Sequence, residues 1–220
     1  MKSTATPKIV FETDDFLVID KPAYLHSVTQ KDSVNSLEAW LAQERPEHLK
    51  LKESGLVQRL DFETSGCILA AKTPESRDRL WGERNQIEKF YWVLTEKDPG
   101  TNSFDFYFYS RYRGSQKMSV EKNGKAGERG KCQWRLLHKA TRGSREVNLF
   151  EVELMGGGKR HQIRAGFAKL GCPLLGDELY GSEAKEDFLG LHSHELRVEG
   201  HRVICAPPEA WRSHFPLLFT

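Results

Sequence analysis

The chain has 220 residues, 38% hydrophobic and 29% charged, and its formal net charge is +2 at pH 7. A chain of this length can bury a substantial core without disulfides or metal ions. It contains no apolar run near the roughly 20 residues that a membrane-spanning helix needs, and its N-terminal residues lack the apolar stretch of a secretory signal. We therefore exclude a transmembrane protein and expect a cytoplasmic location.

The basic residues are concentrated in one segment. Residues 111–146 hold eleven basic residues against three acidic ones, whereas the residues from 173 onward hold four basic and eight acidic ones. A basic segment on a nearly neutral protein suits a polyanion that touches one face. A solvated loop whose charges serve solubility explains the same charge pattern equally well.

The cysteines are far apart in the sequence and form no Cys-x-x-Cys pair: Cys67, Cys132, Cys172 and Cys205. We expect reduced thiols in the core. His192 and His194 flank Ser193, but neither they nor the nearby His201 meet a usual zinc spacing with these cysteines. No metal site is expected.

In the first half of the chain, the pattern predicts two strands at residues 9–11 and 16–19, which form a hairpin closed by Pro22. A helix is predicted over residues 33–44, with Ser33 or Ser36 as its N-cap. An apolar strand over residues 67–71 then feeds a helix whose cap is Thr73 and whose first residue is proline.

In the second half, alternation predicts strands at residues 89–95, 103–110, 133–137 and 147–155. Residues 122–130 are rich in Gly and Lys and are predicted to be a mobile basic loop. A helix over residues 161–170 is expected to end at Gly171. The mixture of consecutive strands and interspersed helices predicts an α+β fold, and the lack of repeats or long linkers predicts a single domain over residues 1–220.

The segment QRLDFETSG, residues 58–66, is the first candidate for chemistry. Asp61 lies two residues after Arg59 and before a polar turn, an arrangement that can fix an acid at the edge of a sheet. A turn in which Asp61 only accepts backbone hydrogen bonds is the alternative. Composition alone favours that alternative.

The second candidate is GGGKRHQIR, residues 156–164. Glycines allow a ligand to approach the backbone, and a helix start exposes N–H groups that favour anions. On a helix, Arg160 and Arg164 share a face. The segment lacks the Ser or Thr of a nucleotide-binding Walker loop. On these residues alone, a surface cluster of cations is the favoured explanation.

Taken together and in order, these segments resemble the RluA-type family of RNA pseudouridine synthases. IVFETDDFLVIDKPAYLH (residues 9–26) resembles the family's opening hairpin, and QRLDFETSG its signature His-Arg-Leu-Asp-x-x-Thr-Ser-Gly. GGKRHQIR is similar to Thr-Gly-Arg-x-His-Gln-Ile-Arg, and CPLLGDELYG and LGLHSHEL resemble the stretches that follow. The likeness spans residues 9 to 196.

The resemblance implies roles for individual residues. Asp61 matches the catalytic aspartate, Tyr91 the active-site tyrosine, Arg164 the arginine that pairs with the aspartate, and Arg59 the arginine that enters the RNA stack when the target nucleotide flips out. Further RNA contacts are expected from two groups: Lys159, Arg160, His161, Gln162 and Ile163, and, in the basic segment, Arg111, Arg113, Lys122, Lys125 and Lys131.

The sequence departs from the family pattern at three positions and shows no S4-like RNA-binding domain. Gln58 replaces a histidine, Gly157 a threonine and Lys159 an arginine. Lysine keeps the charge of arginine but not its fork geometry. Because Gln58 is adjacent to the predicted site, we expect altered RNA contacts rather than lost chemistry.

The resemblance implies a pseudouridine-synthase-like α+β fold, with a central, mostly antiparallel mixed sheet, flanking helices and an active-site cleft. It implies isomerisation of a uridine in structured ribosomal or transfer RNA by a monomer that needs no cofactor. A non-catalytic RNA-binding or ribosome-assembly factor is the alternative. A carboxylate-dependent glycosidase would need a second carboxyl group ~5–5.5 Å from the first, and Glu63, the only close candidate in sequence, occupies a variable position of the signature.

Overall fold

The structure is a computed structural model, and it describes residues 5–31, 33 and 35–219. Its strands are β1 Lys8–Glu12, β2 Phe16–Lys21, β3 Ser65–Ala71, β4 Glu88–Thr95, β5 Ser103–Tyr109, β6 Ser119–Glu121, β7 Arg129–Arg142, β8 Arg145–Met155, β9 Leu191–Val198 and β10 His201–Ile204. Its helices are α1 Leu37–Glu44, α2 Pro74–Gly82, α3 Gln162–Lys169 and α4 Glu209–His214. In the described ranges, no helix is long and apolar enough to span a membrane.

The chain divides into two compact units. Unit 1 comprises residues 1–87 and 193–207. Its sheet has the order β1-β2-β3-β9-β10, in which β1 and β3 flank β2 in antiparallel pairing and β10 pairs antiparallel with β9. All residues of β3 are buried, and they join a core with α2 through Leu80 and with β9 through Leu196.

Unit 2 comprises residues 88–192 and 208–220. Its sheet is antiparallel throughout, in the order β4-β8-β7-β5-β6. Helix α3 packs against this sheet through Phe167. The centroid of its ring lies 4.8 Å from that of Trp134 and 6.5 Å from that of Phe104. A second apolar cluster surrounds Trp211 of α4.

The predicted α+β class is confirmed, and so are several local predictions. The first helix begins at Leu37, and Ser36 caps it by accepting from the Ala39 amide at 3.1 Å; position 34 of the predicted helix lies outside the described residues. Thr73 caps α2 in a reciprocal bond with Ser76. All four cysteines are buried, as expected.

The prediction of a mobile loop over residues 122–130 is wrong at its C-terminal end. Strand β7 begins at Arg129, four residues before the predicted strand, and pairs with both β5 and β8. Cys132 and Trp134 are buried on this strand. Long-range pairing and burial therefore extend the strand into a segment whose local composition disfavours it.

Candidate active site

Asp61 lies in unit 1, in the turn that precedes β3. The Thr64 amide donates to the Asp61 carbonyl at 3.1 Å and closes the turn. On the other side, the Ser27 hydroxyl donates to the Leu60 carbonyl at 2.7 Å and accepts from the Leu60 amide at 2.9 Å. These bonds fix the backbone immediately before Asp61, so its carboxyl group extends from a defined turn.

Lys21, at the end of β2, is a member of this region that sequence reasoning missed. Its side chain is fully buried, and its Nζ donates to the carbonyls of Pro22 at 2.9 Å and Leu25 at 2.8 Å. Burial lowers the pKa of Lys21 to about 7, although the negative charges of Asp61 and Glu63 act to raise it. The sequence pattern that could have identified Lys21 is the Asp-Lys-Pro turn that follows an apolar strand.

Arg59 is the exposed member of the region, with 59% of its side chain accessible. Glu53 accepts from its Nε at 3.2 Å and from its Nη2, and these bonds raise the pKa of Arg59. The neighbouring Gln58 has a buried side-chain amide, and neither of its polar atoms has a hydrogen-bond partner among the described residues.

Tyr91 lies in unit 2, on β4 opposite Val152 of β8, and is 7% exposed. Lys89 is two residues earlier and therefore on the same face of the strand. Its Nζ donates to the Gly156 carbonyl at 3.3 Å, and burial lowers the pKa of Lys89 to about 8.

Arg164 lies on α3, where it is 3% exposed and bound to Asp177. Asp177 accepts from Nε at 2.8 Å and from Nη2 at 2.9 Å, in the bidentate geometry typical of strong arginine–carboxylate pairs. Asp177 belongs to the CPLLGDELYG segment, but its role was not predicted. The pair fixes the guanidinium of Arg164 inside unit 2.

The same pair is linked to the basic segment through Tyr180. The Tyr180 ring lies 5.6 Å from the Arg164 guanidinium, and its hydroxyl accepts from the Met118 amide at 2.8 Å and bonds His161 Nδ1 at 3.0 Å. Arg160 donates to the Ser115 carbonyl at 2.6 Å. Tyr180 and Arg160 therefore secure residues 115–118 beside the start of α3, and His161 bonds the same Tyr180 hydroxyl. Burial raises the pKa of Tyr180.

Two close approaches fix α3 itself. A Cβ on Gly166 would lie 2.3 Å from the Phe104 ring, so only glycine leaves room for that ring. Gln162 is buried, its Nε2 donates to the Lys131 carbonyl at 2.9 Å, and a Cβ on Gly130 would lie 2.6 Å from the Gln162 amide. Ile163 is also buried, and Lys159 is half-buried.

The predicted phosphate-binding residues of the basic segment are all exposed: Arg111, Arg113, Lys122, Lys125 and Lys131. Lys131 is engaged within the protein, because its Nζ lies 3.2 Å from the Asp105 carboxylate, which also binds Arg129. In the described part of the chain, no group of three or more His, Cys, Asp or Glu side chains is arranged to hold a metal ion.

The chain is similar to known RNA pseudouridine synthases in sequence and in fold. A family model described as RNA pseudouridylate synthase matches residues 15–169. An uncharacterized RNA pseudouridine synthase of Zymomonas mobilis is 30% identical and covers 87% of each chain. The ribosomal large subunit pseudouridine synthases C of Rickettsia bellii and D of Nitrosomonas europaea are 30% and 32% identical and cover 89% and 79% of this chain.

The chain spans only 64% and 49% of the length of the Rickettsia and Nitrosomonas proteins. Among solved structures, human RNA Pseudouridylate Synthase Domain Containing 4 superposes with a TM-score of 0.71 at 20% identity, and covers 96% of this chain and 92% of its own. This likeness shows a shared fold.

Proposed function

The chain belongs to the RNA pseudouridylate synthase family, in its RluA-type branch, and we propose that it isomerises a specific uridine of structured RNA to pseudouridine. The observation that carries the proposal is the match over residues 15–169, a range that includes Asp61, Tyr91 and Arg164. We propose these three as the catalytic residues, within a single catalytic domain of 220 residues.

The reaction defines what such residues must do. The bond between ribose C1′ and uracil N1 breaks, the uracil turns, and C5 joins C1′; the C5 hydrogen leaves as a proton and N1 takes one up. Atoms and electrons balance without an oxidant or a hydrolytic water, so the chemistry needs no redox cofactor. Water must be kept from the detached sugar, which would otherwise be hydrolysed.

Asp61 serves as nucleophile or base at the sugar in this proposal. Its position on a turn fixed by Ser27 and Thr64 supports the role, because a reacting carboxylate must be held in one geometry. Tyr91 stacks on the uracil and offers its phenolic oxygen to the C5 proton.

Arg164 is the proposed catalytic cation, the role that the family resemblance gives it. A guanidinium has five N–H donors, and the bonds to Asp177 use Nε and one N–H of Nη2. In this scheme Asp177 positions Arg164, and Gln162 positions the start of α3 through its bond to the Lys131 carbonyl.

Access to the target base requires base flipping, at a cost of a few kcal/mol. We propose that Arg59 fills the space left in the stack, because a planar guanidinium stacks well and this one is exposed. Lys122 and Lys125 contact phosphates, which makes RNA affinity salt-dependent.

Large-subunit ribosomal RNA is the first substrate to test, because two relatives carry that substrate in their names. We also propose that the protein acts in the cytoplasm and as a monomer. The experiment compares wild-type cells with a strain lacking the gene and maps pseudouridines in total ribosomal and transfer RNA by carbodiimide-dependent reverse-transcription stops. Complementation uses wild-type protein or Asp61→Asn.

We expect one site to be lost on deletion and restored by the wild-type protein only. A site restored equally well by Asp61→Asn would remove Asp61 from the mechanism. If no pseudouridine changes while the protein copurifies with ribosomal RNA, the non-catalytic RNA-binding factor becomes the better account.

A further inference from the structure

Glu53, the residue that holds Arg59, has a strained backbone. Glu53 and Ser54 are both left-handed, with φ of 53° and 50°, and Gly55 follows with φ of 85°. Residues with a side chain rarely adopt this conformation, and they do so singly, because the Cβ approaches the following carbonyl oxygen. Strain of this kind persists only where the surrounding structure fixes it.

The strained turn is fixed to the framework of unit 1. His48 Nδ1 bonds the Ser54 carbonyl at 2.8 Å, and the Val57 amide donates to the Leu69 carbonyl of β3 at 3.0 Å. Gly55 lies so close to β3 that a Cβ there would be 2.3 Å from the Ala71 carbonyl oxygen. The position of Glu53 therefore follows from packing against β3.

The turn directs the Glu53 carboxylate to Arg59. Its two bonds lie along one edge of the planar guanidinium, formed by Nε and Nη2, and so leave the faces of the plane uncovered by the carboxylate. The arginine remains 59% exposed, while Glu53 is 21% exposed. An ion pair this exposed contributes too little stability to account for a strained turn.

We propose that Glu53 is a positioning residue for Arg59: it holds the guanidinium by one edge so that an exposed face stacks in the space vacated by the flipped uridine. This inference rests on the proposed function, in which Arg59 has that role. Fixing the long side chain before binding removes an ordering cost from the flipping step. Pairing also offsets the charge of Arg59, which disfavours its diversion to a phosphate.

The test measures single-turnover release of tritium from large-subunit ribosomal RNA transcribed with [5-³H]uridine, since C5 loses its hydrogen in the reaction. Glu53→Gln removes the carboxylate charge and keeps the side-chain size. With saturating enzyme we expect its rate to fall about tenfold, as for a mispositioned group, and RNA affinity to change less than twofold. Glu12→Gln is the matched control, because Glu12 pairs with Lys72 at 2.8 Å and with Arg45 at 3.4 Å elsewhere in unit 1. Its rate should equal that of the wild type.

A double-mutant cycle with Arg59→Ala separates positioning from general support of the fold. If Glu53 acts through Arg59, Glu53→Gln has no further effect on the rate in the Arg59→Ala background. An equal loss in both backgrounds would show a structural role and overturn the inference. Glu53→Asn adds a second readout: asparagine tolerates the left-handed conformation, so this variant should unfold at or above the wild-type temperature and still react slowly.

The outcomes distinguish the two proposals. If wild-type protein releases tritium and Glu53→Gln matches Glu12→Gln, the Glu53 inference is wrong and the proposed function stands. If wild-type protein releases no tritium from ribosomal or transfer RNA, the proposed function fails, and the Glu53 inference fails with it.

Discussion

Two arginines of the molecule are each held by a carboxylate, but in opposite environments. Arg164 is 3% exposed and Asp177 is fully buried, whereas Arg59 is 59% exposed and Glu53 is 21% exposed. Removing one partner of a buried pair leaves an uncompensated charge and costs ~3–5 kcal/mol, whereas an exposed pair is worth ~0–1 kcal/mol. The buried pair therefore stabilises unit 2, whereas the pair in unit 1 leaves its arginine accessible to solvent.

Loss of the buried ion pair should reduce stability more than any other change considered. Asp177→Asn leaves Arg164 buried beside a neutral side chain, and we expect the free energy of unfolding to fall by ~3–5 kcal/mol. Denaturant unfolding measures this loss. A change below about 1 kcal/mol would show that the buried pair contributes no more than a surface pair.

A second variant tests whether the helix that carries Arg164 is equally constrained. In Gly166→Ala, the new methyl group overlaps the Phe104 ring, because a Cβ at this position lies 2.3 Å from that ring. Overpacking of this kind costs ~1–3 kcal/mol, and we expect a loss near the upper end, with reduced turnover because α3 shifts. Gly127→Ala is a suitable control, since among the described residues no atom beyond its chain neighbours lies within 4 Å of its Cβ position. Equal stability of both variants would contradict the prediction.

The buried Lys21 offers a test in which pH is the variable. Its pKa is about 7 in the folded protein and 10.5 ordinarily, so between these values the unfolded chain binds one more proton and stability rises with pH. Lys21→Met removes this dependence. From pH 7 to pH 9, we expect wild type to gain about 2 kcal/mol relative to the variant, measured as the difference between their urea unfolding free energies. A difference that does not change with pH would contradict the lowered pKa.

The exposed pair should barely affect stability. Glu53→Gln is expected to change the free energy of unfolding by less than about 0.5 kcal/mol, even though it slows the reaction. Thermal and urea unfolding of this variant are measured beside those of Asp177→Asn. If the free energy of unfolding fell as much as in Asp177→Asn, Glu53 would have a structural role.

The smallest effect on stability is expected on the basic surface. The single variants Lys122→Glu and Lys125→Glu should keep the wild-type unfolding midpoint, since both side chains are exposed. Each should weaken RNA binding and make the affinity less dependent on salt. Lys131→Glu should weaken binding less, because Lys131 is already engaged by Asp105. Affinity unchanged in all three variants would remove this surface from RNA binding.

Features set by neighbouring residues were predictable from the sequence. The caps Ser36 and Thr73 and the strand β5 follow from local hydrogen bonding and alternation, and the structure confirms them. The motif residues Asp61 and Arg164 were identified by resemblance, and their catalytic roles stay predictions.

Features set by contacts between distant segments were not predictable. Asp177 reaches Arg164 because α3 and the CPLLGDELYG segment fold together, and Glu53 reaches Arg59 only through a left-handed turn that packing against β3 imposes. The extent of β7 likewise depends on two neighbouring strands rather than on its own Gly- and Lys-rich start.

The proposed catalytic role of Asp61 is tested by single-turnover pseudouridine formation on large-subunit ribosomal RNA with wild-type protein and Asp61→Asn. RNA affinity and the unfolding midpoint are measured on the same preparations. We expect wild-type protein to form one pseudouridine per RNA, and Asp61→Asn to bind with nearly the same affinity, fold normally and form none. Normal turnover by Asp61→Asn would contradict the account.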